Sequence, residues 1–427
     1  RWQAMLRWIW LISVIFSLCN ISSATTPFYD TPAVAAFRRD YLALNASLET
    51  RSVSIVIDKM AAGFGNLINN CFNFFLMTWH NRMPFHISFD LTAWGRWSDL
   101  FHDFTSSSLS PIILEADSQT QRYLYHNVSL PYGLNNLYVP RCFCDLRNYV
   151  LPDTPTAYIY NPTRFHFTIG YHGKDWELAW HAPPLQTISF SEKQILLQAM
   201  WDPVPAIRHL VETIYTMYKA NSPPGSAFMS VHIRQGDKVS SEEMRTFPIN
   251  QWVNKLYAVH YNYHNPTDPK TFKLKTILNN TSHHHTTVFL FSDSQQAIAD
   301  FKRLIDNSSF TVITLPEAID EVLSRVHRGE VLFHHYNGKS LRALQNLQRR
   351  YSTHHRNGYF QGLFQELPID ERMFWLKDLV TSLTLASLGD AAVCTYSSNI
   401  CRVLTLLLPA GMSVVHSVDE PAWQPIR

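Results

Sequence analysis

The fold is best predicted from residues 227–238, which read AFMSVHIRQGDK. The apolar and small residues up to Ile233 are typical of a strand covered on both faces, and Pro223-Pro224-Gly225 interrupts the chain just before them. Because ligands of open α/β sheets bind at the carboxyl ends of strands, we expect the charges that follow to face a crevice that takes an anion. These charged residues are Arg234, Asp237, Lys238 and Glu242.

Length, composition and charge exclude two classes of protein. The chain has 427 residues, of which 46% are hydrophobic, so it buries ample core, enough for about two domains, and is not disordered. Its formal net charge is only +2, and no basic tract with interleaved aromatic residues occurs, so no nucleic-acid partner is expected. Any anion is therefore bound at a local site.

The N-terminal residues 1–24 predict entry into the secretory pathway. Arg1 and Arg7 precede an apolar run over 8–19, and small residues follow it. The run is shorter than the roughly 20 residues that span a bilayer, which suits a signal peptide. An uncleaved signal-anchor, which would hold the protein at the membrane, is the alternative.

Glycosylation sequons agree with a luminal location. The pattern N-x-S/T without proline marks candidate acceptors, and it recurs along the chain. The candidate sites are Asn45, Asn127, Asn279, Asn280 and Asn307, with Asn20 close to the predicted membrane segment.

The cysteines also suit an oxidising compartment. Cys394 and Cys401 flank residues 395–400, a loop short enough to close with a disulfide. Cys142 or Cys144 could pair with Cys71, and the sequence leaves this connectivity open.

Two patterns raise the question of a metal site. Cys142 and Cys144 have the spacing C-x-C, but no second cysteine pair exists to complete a metal ligand set. The triple His283-His284-His285 lies beside two sequons and has no regular carboxylate or cysteine partner. We therefore expect no functional metal.

The chain is predicted to divide into a linker over 25–51, an N-terminal α/β domain over 52–222 and a C-terminal domain over 223–427. Two helices over 191–219, interrupted at Asp202-Pro203, are expected to close the first domain. In the second domain strands alternate with helices, which predicts a parallel sheet with helices on both faces. The predicted strands are 228–233, 288–292, 310–315 and, as the last, 391–395; the predicted helices are 248–260, 295–304 and 373–388.

Two turns have the composition of phosphate-binding turns. In the first domain a β-branched run over 52–57 leads to Gly63-Phe64-Gly65-Asn66 and a helix-like stretch over 67–79. Such a turn lets backbone N–H groups at a helix start approach a phosphate, although glycines also simply make tight turns. In the second domain Ser397-Ser398 precedes an apolar helix and offers hydroxyls and amides, with an ordinary N-cap as the alternative.

Three motifs of the C-terminal domain can be matched together to a known family. The first runs from His232 to Glu242 and is followed by Phe247-Pro248-Ile249, the second is VFLFSD at 288–293, and the third is VCTYSSNICRV at 393–403. In this order they resemble the α1,6-fucosyltransferases that modify the N-glycan core and the related rhizobial nodulation fucosyltransferases. The glycine turn matches the start of that family's catalytic region, so the resemblance extends over about residues 52–415.

The resemblance implies a GT-B-like α/β fold whose C-terminal domain is Rossmann-like and binds the donor. It implies transfer of fucose from GDP-β-L-fucose, with inversion and without a metal, to the 6-hydroxyl of the innermost GlcNAc of N-glycans in the Golgi lumen. Arg234 would contact the diphosphate. Glu242 would remove the proton of the acceptor hydroxyl, with Lys238 beside it and Asp237 orienting Lys238.

The resemblance also implies the remaining parts of a donor site. The disulfide between Cys394 and Cys401 would stiffen the diphosphate cradle. The further donor-binding residues are His232, Asp237, Asp293, Ser397, Ser398, Gly63, Gly65 and Asn66.

The chain departs from the family's pattern at a few positions. Gln235 stands where vertebrate members have a second arginine, and Ser294 where a second acidic residue is usual. Ser382 stands where an aspartate is usual, with Asp378 one turn earlier. Two alternatives follow: the same donor used on a chitin oligosaccharide or a protein hydroxyl, and an inactive relative that binds nucleotide or glycan.

Overall fold

The computed structural model describes most of the C-terminal half of the chain and parts of the N-terminal half. The described ranges are 27–47, 52–57, 64–65, 68, 72, 75–76, 79, 85–89, 99–102, 156–160, 188–235, 247–265, 285–328, 368–409 and 414–419. The predicted N-terminal segment 1–24 lies outside them. Within these ranges, no helix combines the length and the apolar character needed to cross a membrane.

Most of the predicted linker is a helix. A 3₁₀ turn, Phe28–Asp30, leads into α1, Pro32–Ser47. Its residues Val34, Phe37 and Tyr41 are buried at helical spacing, and the ring of Phe37 lies 4.7 Å from that of Trp79. Helix α1 therefore packs into the core instead of bridging two domains, because this apolar stripe is buried against aromatic residues.

A small parallel sheet represents the N-terminal α/β region. Its strands are β1, Ser52–Ile57, β2, Phe85–Phe89, and β3, Thr156–Tyr160, in the order β2-β1-β3. The first of them is the predicted β-branched run. Both neighbours pair with β1 in parallel, as expected of strands joined by crossover connections.

The two helices predicted around residue 202 are present, and the second contacts the C-terminal sheet. They are α2, Phe190–Met200, and α3, Pro205–Asn221, separated near Asp202-Pro203. The apolar stripe of α3 covers the second sheet, and the ring of Tyr215 lies 5.3 Å from that of Phe228. Thus α3 lies on the C-terminal sheet although it precedes the predicted boundary at residue 223.

The C-terminal half forms a five-stranded parallel sheet with helices on both faces, which confirms the predicted α/β class. Its elements in chain order are β4, Ala227–Ile233, α4, Ile249–His264, β5, Thr286–Ser292, α5, Gln295–Leu304, β6, Phe310–Ile313, α6, Leu315–His327, α7, Ile369–Ala386, β7, Ala391–Cys394, α8, Asn399–Leu407, and β8, Val415–Ser417.

Two of these elements were not predicted. Helix α6 begins where the sequence was expected to continue as a strand to residue 315, because Thr314 and Glu317 form a capping box that starts a helix there. Strand β8 pairs with β7 and is the last strand, in place of 391–395. It has three residues, too few for alternation to reveal it.

The order of the strands fixes where a ligand binds. The sheet runs β6-β5-β4-β7-β8, so successive strands extend from β4 first toward one edge and then, from β7, toward the other. This is the Rossmann-like order 3-2-1-4-5, and its topological switch point lies between β4 and β7. In sheets of this order the loops that leave the two strands generally diverge, so a ligand is expected at the carboxyl ends of β4 and β7.

Candidate active site

Arg234 and Asp293 lie side by side at the carboxyl edge of the sheet. Ile233 of β4 pairs with Ser292 of β5, so the next residue of each strand emerges at the same level. Nη1 of Arg234 donates a hydrogen bond to Oδ2 of Asp293, and the backbone N–H of Gln235 donates to Oδ1 at 2.9 Å. One carboxylate thus holds both the guanidinium and the chain that follows β4.

The Arg234–Asp293 pair is largely shielded from water. The side chains are 17% and 9% exposed, which strengthens their attraction and restricts the guanidinium to one orientation. A guanidinium presents its N–H donors in a planar fork that matches phosphate oxygens. The predicted diphosphate contact, Arg234, is therefore held in place by Asp293, a residue that was itself predicted to bind nucleotide.

His232 is a buried, neutral imidazole beneath this pair. Its ring lies 4.8 Å from the ring of Phe291, and Nε1 of Trp252 donates to its carbonyl oxygen at 3.2 Å. Burial, reinforced by the charge of Arg234, lowers the pKa of His232 to about 3. Its Nδ1 meets no hydrogen-bond partner among the residues that the structure describes.

The serine turn follows β7 on the other side of the switch point. Ser398 occupies the N-cap position of α8, yet within the described chain its hydroxyl makes no capping hydrogen bond. The N-cap alternative therefore holds for the position of Ser398, without a side-chain capping hydrogen bond. Cys394 and Cys401 form the predicted disulfide, which ties the end of β7 to the first turn of α8.

Arg402 supports this turn from inside the protein. Its Nε donates to the carbonyl oxygen of Tyr396 at 2.9 Å, and its Nη1 donates to Oδ1 of Asn399 at 3.1 Å. Burial lowers the pKa of Arg402 to about 10, while the nearby Asp419 carboxylate acts to raise it. The guanidinium therefore stays charged at neutral pH and adds positive potential below the turn.

Asp419 is a residue of this site that the sequence did not reveal. Its carboxylate accepts hydrogen bonds from the backbone N–H groups of Tyr396, at 2.7 Å, and Ser397, at 2.9 Å. It follows β8, which pairs with β7 in the sheet. A carboxylate just after a strand is the available signal, but it required β8 to be recognised first.

Gly65, from the predicted glycine turn, is helical in the structure and lies against the start of α8. A Cβ added to Gly65 would lie 2.9 Å from Cδ1 of Ile400 and 3.2 Å from Cβ of Asn399. Only glycine allows the two segments to approach this closely. Gly65 therefore lies against the first residues of α8, and its predicted part in binding the diphosphate stays a prediction. Gly63 and Asn66 lie outside the described residues.

The predicted catalytic residues Lys238 and Glu242 and the predicted donor-binding residue Asp237 also lie outside the described residues, so their roles stay predictions. The two ends of the segment that carries them are joined. Nε2 of Gln235 donates to the carbonyl oxygen of Phe247 at 2.6 Å. Gln235, which stands in place of the expected arginine, therefore links the two residues that flank the segment 236–246.

The other departures from the family pattern have structural explanations. Ser294 caps α5, accepting from the N–H of Ala297 at 3.2 Å. Ser382 is buried in α7, and Asp378 lies partly exposed one turn earlier in that helix.

The metal and glycosylation candidates fall mostly outside the described chain. Among the described residues, no three His, Cys, Asp or Glu side chains are grouped so as to hold a metal ion. His285, the described member of the triple, lies with Nε2 2.9 Å from Oγ1 of Thr311. Of the sequons, Asn307 is exposed and Asn45 lies in α1. The sequons at Asn127, Asn279 and Asn280, and Cys71, Cys142 and Cys144, are not among the described residues.

Comparison with known proteins finds structural likeness only. No family model and no curated protein matches the chain. Among solved structures, the chain is similar to an arginine-to-lysine mutant of FUT1 from Arabidopsis thaliana in complex with GDP, with 13% identity and a TM-score of 0.46 over 92% of this chain and 79% of that one. It is also similar to the fucosyltransferase NodZ from Bradyrhizobium, with 10% identity and a TM-score of 0.42 over 84% and 94% of the two chains.

Proposed function

We propose that this protein is an inverting, metal-independent fucosyltransferase of GT-B-like architecture that uses GDP-β-L-fucose. The observation that carries the proposal is the meeting of three features at one switch point: the oriented Arg234, the neutral His232 and the serine turn before α8. The motif order of the sequence supports the same donor.

The diphosphate is bound between the two strands that flank the crevice. Arg234 donates to its oxygens from the end of β4, and Ser397 and Ser398 approach it from the end of β7. Positive potential from the start of α8 and from the buried Arg402 adds to this. These groups stabilise the charge that grows on the phosphate as the bond to fucose breaks.

The nucleoside is bound at the buried part of the site, next to His232. His232 remains neutral, so its Nδ1 forms a hydrogen bond with a neutral base or ribose group without the cost of burying a second charge beside Arg234.

The acceptor reacts through the segment that follows Gln235. Glu242 takes the proton of the acceptor hydroxyl as its oxygen attacks C1 of fucose from the face opposite the diphosphate, with Lys238 beside the carboxylate. The new C1–O bond forms, the C1–phosphate oxygen bond breaks, and GDP leaves with the electron pair. The proposed acceptor is the 6-hydroxyl of the innermost GlcNAc of N-glycans on glycoproteins.

Incubation of the purified protein with GDP-fucose, an N-glycan acceptor and EDTA tests both donor and metal independence. Fucosylated product with inverted configuration is expected. Parallel reactions with chitin oligosaccharides and peptides identify the acceptor class. In Glu242→Gln, transfer is expected to disappear while GDP binding persists, and undiminished transfer would remove the base assignment.

A binding protein without turnover is the second candidate. It is favoured by Gln235, whose side chain donates to Phe247 and adds no second cation beside Arg234. GDP binding without product in every acceptor reaction, for a folded protein, would select this candidate.

The proposed location is the Golgi lumen, with the protein held at the membrane if residues 1–24 remain attached. Support comes from the Cys394–Cys401 disulfide, which requires an oxidising compartment, and from the exposed sequon at Asn307.

A further inference from the structure

The serine turn is held by hydrogen bonds to the N–H and to the carbonyl oxygen of Tyr396. The N–H of Tyr396 donates to Asp419 at 2.7 Å, and its carbonyl oxygen accepts from Arg402 at 2.9 Å. The same Asp419 carboxylate accepts from the N–H of Ser397. The peptide groups before and after Tyr396 are therefore both fixed by charged side chains.

Asp419 is itself anchored to the sheet. The hydroxyl of Ser417, in β8, donates to Oδ1 of Asp419 and lies 3.1 Å from the N–H of Tyr396. The N–H of Val418 donates to the carbonyl oxygen of Cys394 at 2.8 Å. The turn therefore takes its position from β8 as well as from the strand that precedes it.

The hydrogen bonds to Asp419 determine which N–H and O–H groups of the turn can reach a phosphate. The N–H groups of Tyr396 and Ser397 are already satisfied by a carboxylate inside the protein. The hydroxyls of Ser397 and Ser398 are the donors of the turn that would serve a ligand, and their direction depends on how the turn is held.

We propose that Asp419 is a positioning residue for donor binding, which holds the Tyr396–Ser397 turn so that Ser397, Ser398 and the start of α8 face the diphosphate. The inference rests on the proposed function, since it assumes that the diphosphate binds at this turn. Asp419 acts through the turn and does not touch the substrate.

The test compares GDP with guanosine, because only GDP carries the phosphates. In Asp419→Ala the affinity for GDP, measured by calorimetry, is expected to fall about 10- to 30-fold, since two charge-assisted hydrogen bonds are lost. The affinity for guanosine is expected to change less than about twofold, because the contacts to the nucleoside come from elsewhere. KM for GDP-fucose rises more than kcat falls.

Two further variants make the result specific. Asp419→Asn keeps an oxygen that accepts an N–H and is expected to recover part of the GDP affinity. Asp306→Ala is the matched control, because Asp306 accepts the N–H of Ser308 at 2.9 Å in an exposed turn before β6, at the opposite edge of the sheet. It is expected to bind GDP as the wild type does.

Three outcomes would overturn the inference: unchanged GDP affinity in Asp419→Ala, an equal loss for guanosine, or tighter GDP binding, which would mean that the carboxylate competes with phosphate. If Asp419→Ala does not fold, the same comparison is made with Asp419→Asn. A wild-type protein that binds no GDP overturns the proposed function as well, whereas GDP binding with unaffected variants overturns the role of Asp419 alone.

Discussion

The two edges of the five-stranded sheet use polar groups in opposite ways. At the amino edge, Asp390 accepts hydrogen bonds from Nζ of Lys219 at 3.0 Å and from the N–H of Phe228 at 2.8 Å. Lys219 also donates to the carbonyl oxygen of Ser226 at 3.3 Å. These groups satisfy one another and join α3 to the sheet.

At the carboxyl edge the polar groups lie where the strand order predicts the ligand. Asp293 orients Arg234, Asp419 and Arg402 hold a turn, and Nδ1 of His232 is unsatisfied within the described chain. Charged residues at an edge of this sheet therefore do not by themselves indicate a ligand-binding site. What distinguishes the carboxyl edge is that its charged groups hold the ends of β4 and β7 in place.

The largest effect is expected from Arg234→Ala. Loss of the guanidinium should lower kcat/KM for GDP-fucose by about 10²- to 10³-fold, because charge developing on the leaving phosphate loses its oriented donor. Steady-state kinetics measure this, with thermal unfolding to show that the variant folds. Arg303→Ala is the control, since Arg303 is 75% exposed on α5 and pairs with Asp300. Near-normal transfer in Arg234→Ala would contradict the functional role assigned to the carboxyl edge.

Removal of the disulfide by Cys394→Ser with Cys401→Ser comes next. The crosslink closes a short loop, so its loss should lower the free energy of unfolding by about 2–3 kcal/mol. GDP affinity should fall too, because the serine turn lies inside this loop. Denaturant unfolding and calorimetry give the two values, and a loss of stability with unchanged GDP affinity would argue that the loop is structural only.

Asp390→Ala probes the amino edge. It removes the acceptor of the Phe228 N–H and the carboxylate that pairs with Lys219. The free energy of unfolding should therefore fall by about 1–2 kcal/mol. Transfer per folded molecule should not change. Urea unfolding and kinetics below the transition test this, with Asp300→Ala, at a partly exposed carboxylate of α5, as control. A kinetic defect without a loss of stability would contradict the distinction between the edges.

The smallest effect concerns pH and His232. Because burial lowers its folded pKa from 6.5 to about 3, its stabilising contribution is complete above pH 6.5 and is lost as pH falls toward 3. Between these values the unfolded chain binds the extra proton, so wild-type stability should fall with acidification by about 1 kcal/mol per pH unit more than that of His232→Asn. Unfolding of both proteins at pH 7, 6 and 5 measures the difference. Parallel curves would show that His232 is accessible to protons.

The sequence by itself determined four of the five strands of the C-terminal sheet and the charged residues that follow them. Arg234 and Asp293 were predicted at strand ends, and the disulfide was predicted from its short loop. Such features depend on apolar runs and turn residues that are close in the chain, so local sequence is sufficient to predict them. Helix α1 could have been predicted in the same way from the spacing of Val34, Phe37 and Tyr41.

Only the tertiary structure decided which strand ends meet. The place of β7 beside β4 creates the switch point, and the place of β8 beside β7 brings Asp419 to Tyr396, 23 residues away in the chain. Likewise, Gly65 reaches Ile400 through packing between distant segments. Strand order and such close approaches depend on how whole elements pack, and a local pattern of residues does not encode them.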